Sequence, residues 1–181
     1  MNPTQVAEAV KAFGHHFDYD VTYLEHMLRA SPEALGQFWK VHEVAGHRGV
    51  VPLAANAAAK LVGALAEDCG PCVQLGVRMS EEAGMDPGQI AAVLTRDVAA
   101  MTPDVAVAFA FADALVRHDP GLDGAREAVR ARWGDAGVVD LALGTQVVRL
   151  FPMVKLGLGY GRACQRVSVG GRAVDVVKRV S

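Results

Sequence analysis

Cys69 and Cys72, separated by Gly70 and Pro71 in the segment AEDCGPCVQLGVRMSEEAG, are the pair whose type and spacing match a chemical need. Two cysteines at i and i+3 at the start of a helix share one face. There the unpaired backbone N–H groups and the helix macrodipole favour a thiolate on the first cysteine. Such placement lowers a thiol pKa from about 8.5 into the range of roughly 3.5 to 7.5. Pro71 falls in the first turn, where its missing donor costs nothing. The spacing predicts Cys69 as an exposed attacking thiol and Cys72, one turn further in, as the resolving thiol, able to close an internal disulfide that exchange reopens. The competing readings are an inert buried pair and a zinc site. Zinc would need about two further ligands, and with no second C-x-x-C in the chain His42 and His47 are the nearby candidates, so no metal is expected. The third cysteine, Cys164, reads as a small core residue.

Around the pair, Glu67 and Asp68 immediately precede Cys69. A carboxylate there raises a thiol pKa by repulsion, yet Glu67 is also placed to accept a proton. His47, in FWKVHEVAGHRGVVP, is a candidate imidazole if the chain returns toward the cysteines, with His42 as the second choice. His15 and His16 are weaker candidates. Gln146 and Arg149 lie on an otherwise apolar helix, which points to a substrate pocket or a subunit interface.

The elements that must position these groups are helices. Ser31-Pro32-Glu33 and Thr102-Pro103-Asp104 each combine an N-cap with proline at the first helical position, and Asp86-Pro87-Gly88-Gln89 is a capping-box variant. Gly84 and Gly134 are placed as C-terminal residues of helices. Apolar spacing predicts helices over 21–29, 32–44, 51–66, 69–83, 87–99, 103–117 and 123–133, then a long apolar helix from 135 toward Cys164 with a kink at Pro152. The segment VAVAFAFADALV has almost no polar face and belongs at the centre of the bundle. RVSVGGRAVDVV alternates on both sides of Gly170-Gly171 and predicts a short hairpin. The expected architecture is an all-α bundle of one domain over 1–181, with a helical extension over 1–50, a core over 51–164 and a hairpin or tail over 165–181.

With 51% hydrophobic and 21% charged residues, the 181-residue chain is long enough to bury a core without disulfide staples. Its 18 basic and 20 acidic residues leave a net charge of -2, which argues against nucleic acid as a partner. The N-terminal segment lacks a basic, continuously apolar leader and no run reaches about 18 uninterrupted apolar residues, so a cytoplasmic protein without membrane contact is expected. Aromatic residues at 6% and abundant alanine favour closely packed helices.

C-G-P-C is identical to the thioredoxin motif, but no βαβ pattern precedes it. With a long helix leading into the dithiol, the chain resembles the carboxymuconolactone decarboxylase and alkylhydroperoxidase-D-like superfamily. The resemblance runs from about Val51 to Cys164, through VPLAANAAAKLVGALAEDC, the dithiol helix, DPGQIAAVL, FAFADALVRH and GVVDLALGTQVVRLFPMVKLGLG. It implies an all-helical fold, assembly as a trimer or hexamer, and reduction of peroxides or disulfides. The chain departs from the peroxidase branch where that branch carries a relay glutamate about twelve residues before the first cysteine and a relay histidine four after the second; here these positions are Ala57 and Gly76. Lys60, one turn beyond Ala57, is a cation placed to use the missing glutamate's volume.

The expectation is a thiol-disulfide oxidoreductase or weak alkylhydroperoxide reductase without a cofactor. It would act on a small peroxide or disulfide, be recharged by an external thiol such as a thioredoxin-like or lipoyl reductant, and assemble as a homo-oligomer. The alternatives are a lyase like the decarboxylase branch and a non-catalytic redox-sensing oligomer.

Overall fold

The structure, a computed structural model, describes residues 3–161 and 166–177. It is all-α with a C-terminal hairpin: α1 (Pro3–His16), α2 (Thr22–Ala30), α3 (Pro32–Trp39), α4 (Val41–Gly46), α5 (Leu53–Ala66), α6 (Gly70–Glu82), α7 (Pro87–Thr95), α8 (Pro103–Val116), α9 (Leu122–Gly157), β1 (Arg166–Val169) and β2 (Arg172–Asp175). A 3-10 turn, Val98–Ala100, links α7 to α8. Cys164 lies outside the described residues.

The core is α5 packed between α8 and α9. Its sequence, LAANAAAKLVGALA, supplies small residues on the buried faces: Ala55, Ala58, Ala59, Gly63 and Ala64. Backbones therefore approach closely. A methyl added at Gly63 would collide with the Thr145 carbonyl oxygen on α9. Helix α8 is the central apolar helix that VAVAFAFADALV predicts, and its one buried carboxylate, Asp113, is paired with Arg96 at 2.6 Å and Arg117 at 2.9 Å. A second apolar cluster forms from Val6, Val10, Tyr19, Tyr23, Leu24, Leu35 and Phe38, closed by Leu75 of α6 and Phe151 and Val154 of α9.

Two of the three caps act as read. Ser31 Oγ accepts from the Ala34 N–H at 3.3 Å, and the Asp86 carboxylate from the Gln89 N–H at 3.1 Å. Thr102 makes no side-chain cap bond. Gly170 and Gly171, at φ 54° and 75°, form the two-residue turn, pairing Val169 with Arg172. The hairpin is clipped to the dithiol helix: the Gln74 side-chain amide donates to the Ser168 carbonyl at 3.0 Å and accepts from its N–H at 2.7 Å.

Four features differ from the periodicity. The 32–44 helix is two helices joined at Lys40, whose N–H turns back to the Gln37 carbonyl. The 87–99 helix stops at Thr95 because Arg96 takes a left-handed conformation, φ 60°, and thereby reaches Asp113. In α9 the non-helical backbone is at Gly134, φ 69°, not at Pro152. Around Pro152 the helix is held on both sides, by Arg149 on Glu67 before it and by Lys155 under two tyrosines after it. The helix ends at Gly157, short of Cys164. Among the described residues, α9 is one helix long and apolar enough by length and composition to cross a membrane; it is also the helix that packs on α5 and α8.

Candidate functional site

Cys69 is the N-cap of α6, in extended backbone at φ -106° and ψ 99°, and Pro71 occupies the first turn, so Cys72 comes round on the same face. The Cα atoms are 5.2 Å apart and the sulfurs stand at disulfide distance. Both cysteines are buried, Cys69 at 3% exposure and Cys72 at 8%. This corrects the expectation of an exposed Cys69. Of the two, Cys72 lines a cavity of about 320 Å³.

That cavity lies between the two apolar clusters. Its walls include Phe13, Leu61, Leu75, Val148 and Phe151, and the relay positions Ala57 and Gly76 both face it. Neither carries a functional group into that space. Other polar groups enter instead. The link between α1 and α2 is pinned to α6 by Arg78, which donates to the carbonyls of Phe17 and Asp18 and pairs with the Asp18 carboxylate at 2.9 Å. This sets Tyr19 over the dithiol, its hydroxyl 3.8 Å from Cys72 Sγ. Lys155 Nζ, on a side chain only 2% exposed, donates to the same hydroxyl oxygen at 3.4 Å and lies 4.7 Å and 5.2 Å from the ring centres of Tyr19 and Tyr23. With its oxygen accepting from Lys155, the Tyr19 O–H is directed at sulfur, and a disulfide sulfur has no hydrogen of its own to give. Lys155, Tyr19 and Cys72 thus form a hydrogen-bonded chain at the dithiol.

Electrostatics keep the tyrosines neutral. Burial pushes the Tyr19 phenol up to about 12, outweighing the lowering effect of the Tyr23 hydrogen bond, and burial also raises Tyr23. His42, stacked edge-on with Phe13 and Phe151 at 5.3 Å and 5.0 Å, lines the cavity, and burial lowers its pKa and favours the neutral ring.

The other expected site residues are placed elsewhere. Arg149 Nε donates to Glu67 Oε1 at 2.6 Å and Arg149 Nη1 to Gln146 Oε1 at 2.7 Å. The three come together as a clasp between the end of α5 and α9, and none of them lines the cavity. Glu67 is thereby the partner of a guanidinium, and Arg149 and Gln146 hold it in place of a substrate. His47 is half exposed and its Nε2 lies 3.1 Å from Asp140 Oδ1. Asp140 Oδ2 accepts from the N–H groups of Gly49, Val50 and Val51 at 3.1, 2.7 and 3.2 Å. Burial acts to raise that carboxyl, but the Val51 and Val50 N–H groups and His47 outweigh it and hold it below the ordinary carboxylate value. His47 therefore anchors the loop before α5 and does not line the cavity. Lys60 does line it, as the Ala57 spacing suggested.

Tyr19, Tyr23, Asn56 and Lys155 are the site residues the sequence reading missed. A signal existed for Lys155, a single cation inside the apolar run FPMVKLGLG. Among the described residues no cluster of His, Cys, Asp and Glu is arranged to hold a metal. In comparisons with known proteins, no family model, no curated protein and no solved structure matches this chain.

Proposed function

We propose that the protein is a thiol-disulfide oxidoreductase or alkylhydroperoxide reductase that works through the Cys69–Cys72 couple, as the resemblance of its dithiol segment to the alkylhydroperoxidase-D-like superfamily implies. The observation that carries this is a disulfide-spaced pair with one sulfur on a cavity and a hydroxyl aimed at it. The order of action is taken from exposure to the cavity, so Cys72 attacks and Cys69 resolves. In the reduced state the Cys72 thiolate displaces one thiolate from a small disulfide; the first S–S bond breaks as the mixed disulfide forms. The Cys69 thiolate then attacks Cys72 Sγ, expels the second thiolate and closes the internal disulfide. With a hydroperoxide, Cys72 takes the terminal oxygen as a sulfenic acid, the O–O bond breaks, and the alkoxide leaves as alcohol with a proton from Tyr19. Attack by Cys69 on the sulfenic sulfur then releases water. Two electrons from an external dithiol complete the cycle, and Lys155, hydrogen-bonded to Tyr19, stabilises its oxygen while the proton is away.

A second copy of the chain belongs to this reading, as does action in the cytoplasm. Val139, Leu143, Leu150 and Met153, between 39% and 54% exposed, run along one side of α9. The function is tested by following consumption of a small disulfide or alkyl hydroperoxide with dithiothreitol as reductant. Turnover is expected from the wild type and loss from a Cys69→Ser, Cys72→Ser double variant; equal rates for the two would overturn the proposal.

A further inference from the structure

The cavity that Cys72 lines also holds a buried hydrogen-bond donor that has no acceptor among the described residues. Asn56 is 2% exposed, and its side-chain Nδ2 is buried with no hydrogen-bond partner among the described residues. An unmet buried donor is costly, which marks the place where an acceptor from outside would be held. Lys60, one turn later on α5, also lines the cavity, and the two side chains pass the same glycine: a methyl added at Gly144 of α9 would stand 3.4 Å from Lys60 Cε and 3.6 Å from Asn56 Nδ2. Arg48 lines the cavity as a second cation, and no aspartate or glutamate does. The carboxylate acting on Lys60 from outside the lining is Asp140, and both of its oxygens are already committed, one to His47 and the other to three backbone N–H groups. The rest of the wall is mostly apolar, with aromatic rings from Phe13, Tyr19, Tyr23 and Phe151. A cavity of about 320 Å³ is the size of a small-molecule site.

We infer that this cavity binds a small organic carboxylate with an apolar body, the carboxylate held by Asn56 Nδ2 and Lys60 Nζ and the body lying among the aromatic side chains. A singly charged, two-oxygen acceptor satisfies the amide donor and the ammonium together, and the mostly apolar wall favours a hydrocarbon-bearing acid over inorganic phosphate. Burial, reinforced by the Arg48 charge, lowers the Lys60 pKa, so a bound anion also relieves the repulsion between the two cations. Resting on the redox reading, the site further assigns the substrate class: a hydroperoxide or disulfide that carries a carboxylate.

The test is calorimetric titration of the full chain with 3-phenylpropanoate, 3-phenylpropanamide, acetate and inorganic phosphate. The acid is expected to bind at least tenfold more tightly than its amide, and acetate and phosphate are expected to bind more weakly still. Lys60→Met should weaken the acid by tenfold or more, and Asn56→Asp should abolish its binding, because the new carboxylate takes the ammonium itself. Thermal melting of both variants separates lost binding from lost folding, and the comparison of acid with amide stands on the wild type alone. Equal affinity for acid and amide, phosphate binding as tightly as the acid, no heat at millimolar acid, or wild-type affinity in two folded variants would each overturn the inference. The Cys69→Ser, Cys72→Ser variant should bind the acid as the wild type does, so failure of the redox reading and failure of the binding site are read separately.

Discussion

At the scale of single residues, the arrangement turns on a phenol that burial keeps neutral. Tyr19 reaches Cys72 Sγ at 3.8 Å while its oxygen takes a hydrogen bond from the buried Lys155. With its pKa pushed up to about 12, the hydroxyl holds its proton throughout the neutral range and can serve as an acid. Tyr19→Phe removes that proton while keeping the ring, so dithiol-dependent turnover of a hydroperoxide should fall by about 10²-fold, the lower end of general acid catalysis. The same residue ties stability to alkaline pH. A folded-state value above the unfolded value of about 10 means that the contribution is fully present below pH 10 and is lost as pH rises through about 12, on the order of 2 to 3 kcal/mol. Urea melts should show the wild type losing that much more stability than Tyr19→Phe between those pH values. Parallel losses in the two proteins would show that the phenol is not held neutral by the fold.

At the scale of elements, the cavity exists because α5 and α9 are pressed together and the N-terminal helices are laid across them. Gly63 is the closest point, with the Thr145 carbonyl where a methyl would go, and because that neighbour is backbone it cannot swing aside. Gly63→Ala should therefore cost about 1 to 3 kcal/mol, visible as a lower urea midpoint at unchanged slope. Much of this layer was legible: Ser31, Asp86, Gly84, Gly134 and the Gly170-Gly171 turn each mark a boundary by local backbone chemistry, which a sequence displays directly. Lys40 and Arg96 do not. A left-handed arginine is set by its ion pair with Asp113, a contact made across helices, and so has no local signal. The site was half legible for the same reason. Cys69 and Cys72 are three residues apart and their pairing is local, whereas Tyr19 and His42 reach the cavity, and Lys155 reaches Tyr19, only through the packing of α1–α4 on α6 and α9. Glu67 stands out in the sequence beside Cys69, and Arg149 and Gln146 as polar groups on an apolar helix, but their partners are one another.

At the scale of the whole molecule, the site is a junction. One wall comes from the N-terminal elements and the rings packed with them, through Phe13, Tyr19, Tyr23, His42 and Phe151, the other from α5 and α6 through Asn56, Lys60, Leu61 and Cys72. The apolar stripe of α9 is left outward, and a Leu143→Glu, Met153→Glu variant should lower the solution mass measured by light scattering, from that of an oligomer to that of one chain. A wild-type mass of a single chain would remove self-association from the account. On the proposed order of action Cys72 meets substrate and Cys69 resolves, and the two roles separate when the reduced Cys69→Ser and Cys72→Ser variants are mixed with a small aromatic disulfide and the adduct is followed by intact mass. A stable, thiol-reversible adduct is expected on Cys72 in Cys69→Ser, formed at least tenfold faster than any adduct in Cys72→Ser. Faster trapping on Cys69, or no adduct on either cysteine, would overturn that order.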